Sequence, residues 1–216
     1  MIWLEMPNNN NVLICRMNHD EITKYIYHWA DIIKTEAELL GFNVVELNNE
    51  HFDESRFRSI IEEYDPFLVF LNGHGSEYSV KGFDKETDVV LRCKNDHLLR
   101  DRIVYALSCH TFSILGRSAF NKGCKCYIGY THRFVFPFQV FDEDRIFEDE
   151  IAEPFMQISN EIMLSLLRGA NPEEAYKNSQ KLIVTYLDHW QKQTSGDSYV
   201  IVKWLNFLKR TQRIIL

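Results

Sequence analysis

Two short segments that are apolar at every position place the strongest constraint on how this chain folds. Residues 67–71 have the sequence Phe-Leu-Val-Phe-Leu, and residues 103–107 have the sequence Ile-Val-Tyr-Ala-Leu. A strand without polar positions has no face for solvent, so it must be covered on both sides. Such strands are typical of a parallel sheet that lies between two layers of helices.

The segments around these runs alternate between strand and helix patterns. An apolar run at residues 12–15 precedes a helical periodicity that includes Trp29 and Ile33, and Asp20 is the expected N-cap of that helix. Asp53 is the expected cap of a second helix. Repeated β-α units of this kind predict an α/β fold, a three-layer α/β/α sandwich with a mostly parallel central sheet.

Other regions complete this outline. Residues 78–92 alternate around a polar centre and predict a hairpin, and residues 126–130 predict a further strand. The pattern of residues 198–216 does not distinguish a strand from a helix. Because no repeat and no Pro/Gly/Ser-rich linker divides residues 1–216, a single domain is predicted.

Composition restricts the environment and the partners. The formal net charge is −7, from 31 acidic and 24 basic residues, which argues against direct nucleic-acid binding. The odd number of cysteines, five, predicts a reducing compartment. The N-terminal residues lack the basic start and apolar run of a signal peptide, and no apolar stretch approaches the about 20 residues that span a bilayer. These features predict a cytoplasmic protein without a membrane partner.

A histidine and a cysteine follow the two apolar runs. His74 comes after residues 67–71, and Cys109 comes after residues 103–107. If the strands are neighbours, both side chains meet at the carboxyl edge of the sheet, where ligands bind in open parallel sheets. A thiolate is a strong nucleophile, and an imidazole can take its proton and later protonate a leaving amine. The N–H groups of Gly75 and Cys109 would form an oxyanion hole.

The same two blocks resemble the caspase-like cysteine peptidases, in which one apolar strand ends in His-Gly and a second ends in a small residue and Cys. Residues 67–75 match the first block and residues 103–109 match the second. Three downstream segments resemble the CHAT and separase branch of these peptidases, and they are residues 126–130, 140–144 and 166–175. That branch commonly has small or glycine-rich residues after the cysteine, where this chain has His110 and Thr111.

The resemblance implies a caspase-like fold and a cysteine endopeptidase that cleaves a protein substrate with no metal and no organic cofactor. Cys109 would be the nucleophile and His74 the general acid/base. Asp142 and Asp144 would line the pocket for the residue before the scissile bond and select Arg or Lys there. Prokaryotic relatives in this branch often act in antiviral defence, with a separate protein as the activator.

Alternative interpretations of the same residues remain open. The chain could be an inactive caspase-like module that only binds a partner. Residues 73–76, Gly-His-Gly-Ser, could form a phosphate- or nucleotide-binding loop, although no Lys-Ser/Thr pair follows them. A Cys/His-rich group could indicate a zinc site, but the Cys-x-Cys spacing of two of its members directs their thiols to opposite faces of a strand. The group comprises Cys109, His110, Cys124, Cys126 and His132.

Overall fold

A computed structural model describes residues 9–216. The prediction that there is no signal peptide depends mostly on residues 1–8, which are outside the described residues. The strands are β1 (Asn11–Arg16), β2 (Asn43–Asn48), β3 (Leu68–Asn72), β4 (Ser79–Lys81), β5 (Asp88–Leu91), β6 (Ile103–Leu107), β7 (Cys126–Tyr130) and β8 (Gln212–Ile215). The α-helices are α1 (Glu21–Leu39), α2 (Glu54–Tyr64), α3 (Arg117–Asn121), α4 (Glu153–Leu167), α5 (Pro172–Trp190) and α6 (Gly196–Thr211).

The central sheet has six strands in the order β2-β1-β3-β6-β7-β8. All neighbouring pairs are parallel except β7 and β8, which are antiparallel. Strands β4 and β5 form a separate antiparallel hairpin, as the alternation in residues 78–92 predicts. The prediction of an α/β sandwich around a mostly parallel sheet is confirmed.

Each face of the sheet has its own hydrophobic core, and the two cores explain why the central runs of the strands are apolar throughout. In β1, Val12 and Ile14 pack into one core, while Leu13 and Cys15 pack into the other. Helices α1, α4, α5 and α6 cover the first face, and α2 and α3 cover the second. Because successive side chains of a strand point to opposite faces, a strand between two helical layers needs apolar residues throughout.

Local sequence signals set where the helices begin. Asp20 caps α1 in a capping box, in which its carboxylate accepts the N–H of Thr23 and the Thr23 hydroxyl accepts the Asp20 N–H. Asn171 and Glu174 form the same arrangement at the start of α5. Such caps satisfy N–H groups that have no partner within the helix and are worth about 1 kcal/mol each.

The C-terminal residues, whose pattern does not distinguish a strand from a helix, form both. Helix α6 buries Ile201, Leu205 and Leu208, and β8 follows it directly at the edge of the sheet. Gln212 is fully buried in β8, and its amide group reaches the hydroxyl of Tyr130 at 3.3 Å. Strand β8 is therefore stabilised by pairing with β7 and by side-chain hydrogen bonds, and its sequence has no apolar strand pattern.

Within residues 9–216, we find no helix that combines the length and the apolar character that crossing a bilayer requires.

Candidate active site

The two strands that precede His74 and Cys109 are direct neighbours. Strands β3 and β6 pair in parallel, with Asn72 opposite Leu107. His74 and Cys109 each follow these paired residues by two positions, so both lie beyond the carboxyl edge of the sheet. The Ser108 hydroxyl donates a 3.3 Å hydrogen bond to the carbonyl of Leu71, which joins the two strand ends.

Gly75 lies in close contact with the loop that carries Cys109. A Cβ atom at position 75 would lie 2.9 Å from the carbonyl oxygen of Cys109 and 2.8 Å from Cγ2 of Thr111. Real Cβ atoms do not approach backbone oxygen that closely, so the two loops meet because residue 75 has no side chain.

Cys109 lies on a sharp turn whose backbone is unusual for the residues that form it. His110, the next residue, has φ of 64°, in the left-handed region. Its N–H donates a 3.1 Å hydrogen bond to the carbonyl of His132. A left-handed conformation costs a non-glycine residue about 1 kcal/mol or more, and such strain is concentrated at functional sites.

The thiol of Cys109 is partly buried and protonated at neutral pH. Burial raises its pKa, while the N–H of Phe134 and the positive charge of Arg133 lower it by less. A protonated thiol is a weak nucleophile, so this cysteine would need a base to accept its proton during a reaction.

His74 is paired with Asp20, a residue that the sequence pattern identified only as a helix cap. The Nε2 atom of His74 lies 2.7 Å from Oδ2 of Asp20, and the ammonium of Lys85 lies 2.7 Å from the same oxygen. The other carboxylate oxygen accepts the N–H of Thr23 at 2.8 Å. The sequence placed Asp20 just after the β1 run, but only the pairing of β1 with β3 in the structure brings it beside His74.

The Asp20 carboxyl is ionised at neutral pH. Burial alone would raise its pKa, but hydrogen bonds from Lys85, from the Thr23 N–H and from His74 outweigh burial and hold the pKa far below its usual value. An ionised carboxylate can only accept hydrogen bonds, so Nε2 of His74 carries the hydrogen in their contact. In the neutral ring the lone pair is then on Nδ1, and Nδ1 is the atom that can accept a proton.

Two backbone donors at the site have no partner in another residue. Neither the N–H of Gly75 nor that of Cys109 donates a hydrogen bond to the backbone or side chain of another residue within 9–216. Backbone N–H groups that no other residue occupies are the groups from which an oxyanion hole is made.

No protein-family model matches the chain, and no curated protein sequence matches it either. Solved structures do match its fold, including the following two. One is the Arg-specific cysteine proteinase gingipain R, with a TM-score of 0.53 and 13% identity over 90% of this chain. The other is the complex of the pro- and mature domains of Porphyromonas gingivalis RgpB, with a TM-score of 0.55 and 13% identity over 95% of this chain. The fold is caspase-like.

The likeness shows the fold and not the activity, because the identity is low. This chain spans 44% and 47% of the two matched chains, less than half of each. The expected caspase-like fold is confirmed by these neighbours, whereas the resemblance to the CHAT and separase branch stays a prediction.

The acidic loop predicted to select the substrate lies against α1. Asp142 and Asp144 are both exposed, and Oδ1 of Asp142 accepts the N–H of Asp144 at 3.2 Å, which caps a short 3-10 helix. Glu143 between them lies 3.0 Å from the ammonium of Lys24, one helical turn after Asp20. No hydrogen bond or ion pair within residues 9–216 joins Asp142 or Asp144 to His74 or Cys109, so their role in specificity stays a prediction.

The phosphate-loop interpretation of residues 73–76 lacks its structural context. In phosphate-binding loops a helix N-terminus follows the glycines. In this caspase-like fold the segment leads into the β4–β5 hairpin, and Ser76 is bonded to the hairpin, with its N–H donating to the carbonyl of Ser79 at 2.8 Å.

The Cys/His-rich group that could indicate zinc is divided between a buried core and the exposed edge of the site. Cys124 and Cys126 are buried, and Sγ of Cys124 lies within hydrogen-bonding distance of two carbonyl oxygens, that of Cys126 at 3.0 Å and that of Arg102 at 3.3 Å. Burial raises the pKa of Cys124 to about 12, so this thiol is protonated. His132 is exposed, and its ring centroid lies 6.1 Å from that of His110.

Proposed function

We propose that this chain is a cysteine endopeptidase that hydrolyses a peptide bond in a protein substrate. One observation carries the proposal: His74 and Cys109 follow paired positions on adjacent parallel strands, and the loops that hold them touch at Gly75. The likeness of the fold to a cysteine proteinase supports it. No metal or organic cofactor is needed for this chemistry.

The proposed reaction is nucleophilic acyl transfer. His74 accepts the proton of Cys109 as the sulfur attacks the scissile carbonyl carbon, and the N–H groups of Gly75 and Cys109 stabilise the resulting oxyanion. The C–N bond then breaks, and the imidazolium gives its proton to the leaving amine. Water, with His74 as base, hydrolyses the thioester and regenerates the thiol.

Asp20 has a positioning role in this proposal. Its carboxylate holds Nε2–H of His74, which leaves Nδ1 as the basic atom, and it stabilises the imidazolium that forms during the attack. The elevated pKa of Cys109 is consistent with a nucleophile that is activated only when a substrate brings the pair together.

For specificity, we propose cleavage after Arg or Lys, with Asp142 or Asp144 as the recognising carboxylate. A neighbour of the same fold is described as Arg-specific, which supports a basic residue before the cleaved bond. Charge-assisted hydrogen bonds from a guanidinium to a carboxylate are the chemistry required. A separate activating protein and a role in antiviral defence belong to the same proposal through the resemblance to the CHAT and separase branch.

The test uses the full chain, a library of fluorogenic peptides and an activity-based acyl probe that traps reactive cysteines. The wild type is expected to cleave and to be labelled at Cys109, as mapped by mass spectrometry. Cys109→Ala and His74→Ala are each expected to abolish cleavage, and the double variant is expected to be no worse than either single variant because the two residues act as a unit.

A matched control is Cys93→Ser, because Cys93 is also a free and accessible cysteine. It is expected to cleave as the wild type does. Cleavage by Cys109→Ala would exclude the proposed mechanism. A wild type that neither cleaves nor is labelled at Cys109 would instead favour the inactive, partner-binding module.

A further inference from the structure

Two histidines and one carboxylate converge at the end of β1 and β3. The ligand atoms of His19, Asp20 and His74 all lie within 4.8 Å of one another. The Nδ1 atom of His19 is 3.9 Å from Oδ2 of Asp20, and Nε2 of His74 is 2.7 Å from the same oxygen. In a tetrahedral zinc site with bonds of about 2.0–2.2 Å, ligand atoms are separated by roughly 3.5 Å, so modest side-chain shifts bring this set to ligation geometry.

The donor set is one that transition metals prefer. Imidazole nitrogen binds Zn²⁺, Co²⁺, Ni²⁺ and Cu²⁺ well, and two histidines with one carboxylate leave coordination positions open for water. Mg²⁺ and Ca²⁺ prefer all-oxygen ligands and do not fit this set.

Hydrogen bonds and ring packing hold the three side chains in place. The N–H of His19 donates to the Thr23 hydroxyl at 3.1 Å, and Thr23 also holds the Asp20 carboxylate. Phe83 packs beside the His19 ring, with centroids 5.7 Å apart, and the His19 and His74 rings meet edge to face at 5.5 Å. A site whose ligands are already oriented loses less entropy when a metal binds.

One atom of the cluster has no partner. Nδ1 of His19 is buried and makes no hydrogen bond within residues 9–216. Buried polar atoms are nearly always bonded, and a metal ion would satisfy this nitrogen. A bound metal would therefore give this atom a partner without any change in the fold.

Lys85 opposes metal binding. It is at the tip of the β4–β5 hairpin, its side chain is 44% exposed, and its ammonium occupies Oδ2 of Asp20 at 2.7 Å. A divalent cation and this ammonium cannot share the same carboxylate oxygen without repulsion. The ammonium must move into solvent when a metal binds, so Lys85 lowers the affinity of the site for the metal.

We propose that His19, Asp20 and His74 form a site for a transition-metal ion such as Zn²⁺, and that the bound metal inhibits the enzyme by occupying His74. Metal binding stands on the cluster alone, and inhibition rests on the proposed peptidase function. The metal takes the lone pair of Nε2, and the hydrogen that Nε2 donated to Asp20 moves through solvent to Nδ1. Nδ1 then has no lone pair, so His74 can no longer accept the proton of Cys109. Metal removal would restore activity.

The binding test uses the full chain with Cys93→Ser and Cys109→Ser, so that no accessible thiol competes for the metal. Titration calorimetry with ZnCl₂ measures affinity, and titration with Co²⁺ reports the ligand field by visible absorption. This background protein is expected to bind one equivalent of Zn²⁺. In the same background, His19→Gln is expected to weaken binding by at least about tenfold, and His19→Cys to restore it through a thiolate.

Two further variants distinguish this site from incidental binding. Lys85→Met is expected to bind Zn²⁺ more tightly, because the ammonium that competes for Oδ2 of Asp20 is gone. If Lys85 had only a structural role, the substitution would not raise the affinity for Zn²⁺. His97→Gln, at an exposed histidine outside the cluster, is expected to leave affinity unchanged. Equal affinity in His19→Gln and the background protein would overturn the site, and so would loss of binding in a His132→Gln variant.

The inhibition test uses the variants that keep Cys109. For each one, the rate of peptide cleavage with Zn²⁺ is divided by the rate without Zn²⁺. Zinc is expected to inhibit the wild type reversibly, with EDTA restoring cleavage, and to inhibit Lys85→Met at lower concentration. Undiminished cleavage when the site is saturated would overturn inhibition. If the protein binds zinc but cleaves no peptide, the metal site stands and the peptidase proposal fails.

Discussion

The Nε2 atom of His74 lies 2.7 Å from Oδ2 of Asp20, a residue 54 positions earlier in the chain. The contact joins the loop after β3 to the N-cap of α1 across adjacent strands. Asp20 therefore has two tasks, since one oxygen caps the helix and the other holds the histidine. A single carboxylate couples the start of a structural helix to the proposed catalytic base.

This double role predicts that Asp20→Asn separates the two tasks. Asparagine caps helices about as well as aspartate, so the free energy of unfolding is expected to fall by less than about 1 kcal/mol. The negative charge beside His74 is lost, and kcat is expected to fall by about 10²-fold or more while KM changes little. Steady-state kinetics and chemical denaturation measure the two effects.

Asp53→Asn is the matched control, because Asp53 caps α2 in the same way through the N–H of Arg56. It is expected to keep both stability and kcat. An equal loss of kcat in the two variants would mean that the Asp20 effect is structural and would remove Asp20 from the proposed mechanism.

Gly75→Ala is expected to separate the two loops of the site. The added methyl group would meet the Cys109 carbonyl at 2.9 Å, so the variant should lose about 1–3 kcal/mol of stability and most of its cleavage activity. Gly196→Ala is the control, because a Cβ atom added there, at the start of α6, would meet no atom within 4 Å. That change is expected to stabilise the protein by about 0.4–1 kcal/mol. A Gly75→Ala variant with full activity would show that the close approach of the loops is not needed.

The specificity proposal is tested by Asp142→Ala and Asp144→Ala. If one of these carboxylates binds the substrate's basic side chain, replacing it by alanine should abolish the preference for Arg or Lys. The lost interaction is a charged hydrogen bond, worth about 1.5–3 kcal/mol. Asp142→Ala should also lose some stability, because it removes the cap on the N–H of Asp144. A peptide library varied at the residue before the cut measures the preference. An unchanged preference in both variants would assign these acids to capping and surface charge alone.

Asp149 is predicted to make the fold sensitive to acid. Its side chain is nearly fully buried, and one oxygen accepts hydrogen bonds from the Tyr25 hydroxyl at 2.6 Å and the N–H groups of Gln139 and Val140. Burial alone would raise the pKa of Asp149, but the Tyr25 hydroxyl and the backbone donors outweigh burial and lower it.

A carboxyl group with a lowered pKa in the folded state stabilises the protein fully above its unfolded pKa of about 4, and this contribution is lost as the pH falls through the folded value. Asp149→Asn should therefore cost about 1.5–3 kcal/mol at pH 7 and less at pH 3. Denaturant titrations at both pH values measure this, with Asp188→Asn at an exposed position of α5 as the control for charge. An equal cost at the two pH values would show that shape, and not the charge, is what the site requires.

Several features of the fold and site were predictable because they depend on neighbours in sequence. The runs 67–71 and 103–107 at the centre of the sheet are apolar at every position, and the caps Asp20, Asp53 and Asn171 use N–H groups a few residues away. The positions of His74 and Cys109 at strand ends follow from the same local patterns. Strand β8 could not be predicted in this way, because an edge strand with a buried Gln212 is stabilised by partners distant in sequence.

By itself, the sequence determined most of the strands and helices before residue 198 and which reactive side chains follow them, since hydrophobic periodicity and capping act over a few residues. The tertiary structure alone decided that β3 and β6 are neighbours, that Asp20 meets His74, and that Lys85 and His19 reach the same carboxylate. These contacts depend on strand order and on the direction of the hairpin. Strand order and hairpin direction are set by packing over the whole sheet. That packing joins residues that are distant in sequence, so a local sequence pattern does not predict it.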